Sequence, residues 1–147
     1  MVVELFESLV IAHIVTGSIG LVAGWVPIVG RKGSRNHKRW GKVFAYSMLI
    51  TGTIAVGISL CTLHSPLETH TFSDDAEMVR GVFGWMMLYL ATMTIMLAWY
   101  GLLCVRNKQR HEANRNTVNF VLQAITFATA ANCTYQGVML NNGLMIG

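Results

Sequence analysis

At 147 residues, with 53% hydrophobic and only 12% charged side chains and a mean hydropathy of +0.48, the chain is too apolar for an ordinary soluble domain. Its formal charge of +4 is concentrated: ten of the eleven lysines and arginines fall in two short stretches, which argues against a folded nucleic-acid-binding surface. Three cysteines, Cys61, Cys104 and Cys133, form no CxxC and leave one over from any pairing, so they read as buried thiols.

A hydrocarbon core of about 30 Å takes about 20 apolar residues of helix, each rising 1.5 Å. Four runs of that length predict spans over 5–29, 41–63, 79–105 and 117–140, together one transmembrane domain over 1–147. Near-continuous hydrophobicity lacks the alternation of a membrane barrel strand. The expected fold is therefore all-α, an integral membrane four-helix bundle. The N-terminus MVVELFESLV carries two acids and no cationic leader region, so the first run is expected to remain in the protein.

In the first span His13, Gly17, Gly20 and Gly24 share one helical face, a smooth stripe that lets a second helix approach closely. Pro27 falls near the end of the run, where a lost hydrogen bond costs little. The stretch GRKGSRNHKRWGKVF follows, with Arg31, Lys32, Arg35, His37, Lys38, Arg39 and Lys42. Tethered between two spans, it reads as a loop for anionic lipid headgroups and a topology signal, with a tight turn at Gly33 and close helix approach at Gly41. The second span carries a less regular stripe, Ala45, Gly52, Ala55 and Ser59, which pairs naturally with the first.

The loop HSPLETHTFSDDAE offers His64, Glu68, His70, Asp74, Asp75 and Glu77. These are metal-ligand types at a spacing that fits no closed zinc motif, so the loop reads as solvated and acidic and any metal is left unassigned. The third span contains Tyr89 and ends in a second basic connection, Arg106, Lys108, Arg110 and Arg115. The fourth is unusually polar, with Asn119, Gln123, Thr126, Asn132, Thr134 and Gln136, and most of these groups must face other helices. The closing NNGLMIG resumes an apolar character after a turn-like start.

Both basic connections follow odd-numbered spans, and six of the seven acids lie on the other side. Short cationic loops stay in the cytoplasm, so both termini are expected outside and both basic loops inside. Trp25, Trp40, Tyr46, Trp99 and Tyr100 map to the inner interface and Phe6, Trp85 and Tyr135 to the outer one, as aromatic belts do.

His13 is the one histidine well inside a span, where an ionisable group marks either a satisfied hydrogen-bond network or a site. Asn132 matches its depth and Tyr89 is slightly deeper, so His13, Tyr89, Asn132 and Gln136 form the candidate cofactor-binding set. Haem or quinone is the cofactor class this set would serve. A bis-histidine haem within one chain lacks its second ligand, since His64 lies about 12 Å further out by helical rise, which leaves His13 of a second copy or a methionine as the other ligand.

The run HIVTGSIGLVAGWVPIVGRKGSRNHKRWGKVFAYSML, with His13, the glycines, Lys32, Gly33, His37, Gly41 and Met48, resembles a family of bacterial multi-spanning membrane proteins catalogued only as a domain of unknown function. The resemblance implies a helical protein of the bacterial cytoplasmic (inner) membrane and supplies no reaction. The residues themselves show plentiful small and polar faces and no nucleophile with its base or phosphate loop. The leading expectation is a non-catalytic subunit or oligomerising module of a membrane complex, whose partners are anionic lipid and other membrane chains, not nucleic acid. The alternatives are a haem- or quinone-associated electron-transfer subunit and a small solute or proton transporter lined by His13, Asn132 and Gln136.

Overall fold

The structure is a computed structural model that describes residues 1–108 and 111–141. The expectations for Arg110 and for all but the first residue of NNGLMIG lie outside the described residues. Among those described the chain is all helical, without strands. The helices are α1 (Val2–Val29), α2 (Arg35–His64), the single turn α3 (Pro66–Thr69), α4 (Ala76–Asn107) and α5 (Thr117–Met139). Within α4 the stretch Arg80–Met86 widens into π-helical turns, and a 3-10 turn at His111–Asn114 precedes α5.

Helix α2 starts six residues before the expected span, because Ser34 caps it: its hydroxyl accepts the His37 backbone N–H at 3.1 Å. Ten of the fifteen residues of the basic stretch, with Arg35, Lys38, Arg39 and Lys42, are therefore the first turns of a helix, a correction to the loop expectation. Gly33 has φ +78°, so the tight turn expected there is present. His37 Nδ1 lies 3.2 Å from the Pro27 carbonyl oxygen, which can only accept, so the ring donates and ties the start of α2 to the last turn of α1. Gly41 instead faces open space, and no close helix approach occurs there.

The long helices alternate in direction. Gly24 lies against Phe44, Gly20 against Ser47 and Met48, Gly17 against Thr51, and Gly57 against Leu9, which sets α1 antiparallel to α2. Gly52 against Ile95 and Gly84 against Leu63 do the same for α2 and α4, as do Thr92 Oγ1 to Thr129 Oγ1 at 3.0 Å and Cys104 against Asn114, just ahead of α5, for α4 and α5. The packing order is α1, α2, α4, α5, and among the described residues α1 and α5 form no substantial interface. The glycine stripe of α1 does meet α2, as expected. Its partners are Phe44, Ser47, Met48 and Thr51, however, while Gly52 from the expected α2 stripe faces α4.

Burial is inverted relative to a soluble protein. The buried positions of α2 are Ser47, Thr51, Gly52, Ser59 and Thr62, whereas Ile28, Leu21 and Phe127 are exposed by 72%, 67% and 77%. The hydroxyls are satisfied along their own helix, Ser47 to Val43 O, Ser59 to Ala55 O and Thr62 to Ile58 O, so they leave no unpaired hydroxyl between the helices. The accessible surface of 9846 Å² exceeds the about 7,500 Å² of a soluble monomer of this mass. Helices α1, α2 and α4 are long and apolar enough to cross a membrane. Helix α5 is long enough at about 35 Å but is not among these candidates, because asparagine, glutamine and threonine dilute its apolar residues.

Candidate functional site

The four candidate residues are divided by the packing. His13 on α1 faces α2, with Nδ1 3.3 Å from the Thr51 carbonyl oxygen. Tyr89 lies on α4 and Asn132 and Gln136 on α5, two helices away. His13 and Asn132 lie on helices that form no substantial interface among the described residues, so a matching helical rise does not make them neighbours. The Asn132 Nδ2 atom is buried without a hydrogen-bond partner, as is Trp99 Nε1.

His13 instead lines a cavity of about 640 Å³ between α1, α2 and α4, roofed by the turn that follows α2. The roof includes a residue that the sequence left in a solvated loop, His70. Pro66 starts the one-turn α3 immediately after α2, where its missing N–H costs nothing, and so turns the chain back over the helix ends. His70 follows directly and packs among three phenylalanine rings, with centroids 5.4 Å from Phe6, 5.6 Å from Phe72 and 4.6 Å from Phe83. Burial there pushes the His70 imidazole below its ordinary value, favouring the neutral ring. The sequence signal was the Ser-Pro step with Phe72 two residues beyond His70, an apolar anchor inside an otherwise acidic loop.

Both imidazoles are held alike. The Thr51 carbonyl can only accept, so His13 carries its proton on Nδ1. The Thr69 hydroxyl donates to Ser65 O at 2.9 Å or Pro66 O at 3.1 Å, so its oxygen accepts from His70 Nδ1 at 3.0 Å. Each ring thus leaves Nε2 with a free lone pair. Walls of Val10, Gly52, Ala55 and Ala91 make the space between them smooth and apolar. The π-helical turns of α4 contribute Phe83, at the kind of wide turn often found beside functional sites.

The remaining loop residues have local roles. Asp75 Oδ1 accepts the backbone N–H groups of Glu77 and Met78, capping α4, and Glu77 pairs with Arg80 at 3.2 Å. Among the described residues no three histidine, cysteine or acidic side chains converge on a metal-sized site. At the opposite end, Lys38, Arg39 and Lys42 border a shallow concavity of about 580 Å³ floored by Val43, Tyr46 and Ile50. A second, of about 480 Å³, lies among Tyr100, Asn114, Arg115 and Gln123. There Asn114 anchors the connection: its carbonyl accepts from Asn119 Nδ2 and its Oδ1 accepts from Asn107 Nδ2 at 2.6 Å.

Fold and site together define an all-helical protein with three helices able to cross a membrane and an apolar cavity with two histidines. Searches against protein-family models, curated proteins and solved structures find no match to the chain.

Proposed function

We propose that this protein is a non-catalytic, integral membrane subunit that assembles with further membrane chains through α5. The observation that carries this is the contrast between its two outermost helices. The outward residues of α1 include Ile11, Ile14, Val15, Leu21 and Val22, a surface suited to lipid. The outward face of α5 also exposes apolar residues, Phe120, Phe127 and Val138 among them, but interleaves them with Ala124, Ala128 and Ala131 and with the exposed polar side chains Gln123 and Thr134. In hydrocarbon, alanines allow close helix approach, and an amide gains from a partner helix what it loses in water.

In this reading α5 is the fourth span, shielded from lipid by its partner. Both basic ends lie in the cytoplasm, where Lys38, Arg39 and Lys42 meet anionic headgroups, and both termini lie outside. The bacterial cytoplasmic membrane is the compartment the charge pattern and the family resemblance favour.

Disulfide cross-linking in native membranes tests the assembly. In a cysteine-free background, Ala128→Cys and Ala131→Cys are expected to trap a chain-sized adduct, and Ile14→Cys is not. Equal cross-linking from α1 and α5, or none from either, refutes the reading.

A further inference from the structure

We infer that the cavity between α1, α2 and α4 is a binding site for a membrane-soluble para-dihydroxy aromatic, the quinol class, gripped at its two hydroxyls by His13 and His70. The inference is independent of the α5 interface.

Three features select this chemistry. The first is polarity: both Nδ1 atoms are spent as donors on Thr51 O and Thr69 Oγ1, so each Nε2 presents an acceptor, and the ligand must bring the protons. A quinol carries two hydroxyl donors; its oxidised quinone and its ethers carry none. The second is spacing. Phe6 and His13 stand two turns apart on α1, about 10.5 Å along the axis, and His70 packs against Phe6. The two imidazoles therefore occupy two levels of one cavity. The hydroxyls of a para-quinol stand at opposite ends of its ring, so with a hydrogen bond of about 2.8 Å at each end it bridges acceptors at two levels. Two levels suit a bridging ligand and do not suit a single iron held between the rings of one haem.

The third feature is shape. Gly52, Ala55 and Ala91 supply a flat wall, and Val10 and Met87 the rest of an apolar slot. A volume of about 640 Å³ lies within the range of small-molecule sites. The cavity runs between helices that can cross a membrane, so a ligand dissolved in lipid reaches it laterally and an isoprenoid tail can remain outside. Charged groups are absent from its described lining, which fits a neutral ligand.

The test uses the full chain in lipid nanodiscs with decyl-ubiquinol under anaerobic conditions, and its dimethyl ether as the matched probe without hydroxyls, each measured by equilibrium binding of the radiolabelled compound. The expected result is saturable quinol binding at least tenfold tighter than that of the ether. His13→Phe and His70→Phe are each expected to weaken the quinol at least tenfold while leaving the ether unchanged. Ala55→Phe, which fills the slot while keeping both histidines, should abolish both.

Equal affinity for quinol and ether overturns the inference and leaves an acyl-chain cavity. This comparison is made on the wild-type chain, so it decides even where a variant fails to fold. Stoichiometric uptake of added haem with a Soret band lost in both histidine variants also overturns it, in favour of a haem site.

Discussion

Replacing Gly52 by alanine tests the packing of α2 on α4 directly. A Cβ built there lies 2.8 Å from Ile95 Cγ1 and 3.3 Å from the Ala91 carbonyl oxygen. Carbon atoms in comfortable contact stand about 3.5–4.0 Å apart. Either Ile95 leaves its rotamer or the helices separate by roughly 0.7 Å, and overpacking of this kind costs about 1–3 kcal/mol. Removing a mid-helix glycine returns about 0.8–1 kcal/mol, so a net loss of up to about 2 kcal/mol is expected. The control is Gly41→Ala on the same helix, where nothing lies within 4 Å and the whole propensity gain of about 1 kcal/mol survives. At this chain length each kcal/mol moves Tm by about 2–4 °C. Melting followed by helical circular dichroism in mild detergent should show Gly41→Ala rising by about that amount and Gly52→Ala falling. Ile95→Ala removes the clashing atom, so the Gly52→Ala/Ile95→Ala pair should cost at least 1 kcal/mol less than the sum of its parts. A Gly52→Ala variant that rises as far as Gly41→Ala would refute the packing argument.

Ser34→Ala should lower stability by about 1 kcal/mol through loss of the α2 cap, and His37→Ala by a similar amount by freeing the Pro27 carbonyl; denaturant titration of the detergent-solubilised variants checks both. Asn119→Ala removes a buried donor and leaves the Asn114 carbonyl unpaired, which should cost about 1–3 kcal/mol and is read by the same titration. For His70 the sign follows from burial. Its folded value lies below the ordinary 6.5, so the unfolded chain binds the proton more readily, and stability falls as pH drops below about 6.5. Melting at pH 7.5 and at pH 5 should show that decline in wild type and a smaller one in His70→Phe; an equal decline in both would remove His70 as its cause.

The candidate site shows how far the sequence carries. His13 was legible because a histidine inside an apolar run demands an explanation, and the cavity does contain it. His70 was harder to read as its companion, since the Ser-Pro step and Phe72 sit in an acidic, turn-rich loop between spans and only the fold brings that loop onto Phe6 and Phe83. The role of His37 was equally hidden. Its charge type suited the basic stretch, but the bond to Pro27 O depends on the angle between two helices.

What the sequence determined by itself is position along the helix axes. Apolar length marks where helices run, as the observed α1, α2 and α4 show. The physical reason is that burial energy changes steeply with depth, so every residue contributes to fixing the register. Lateral order has no such gradient, because any apolar helix face is nearly as well solvated by lipid as by its neighbour. Only the tertiary fit of individual side chains, Gly17 on Thr51 and Gly52 on Ile95, decided that α2 separates α1 from α4. That same fit put His13 into one cavity with His70 and left Asn132 on the far side.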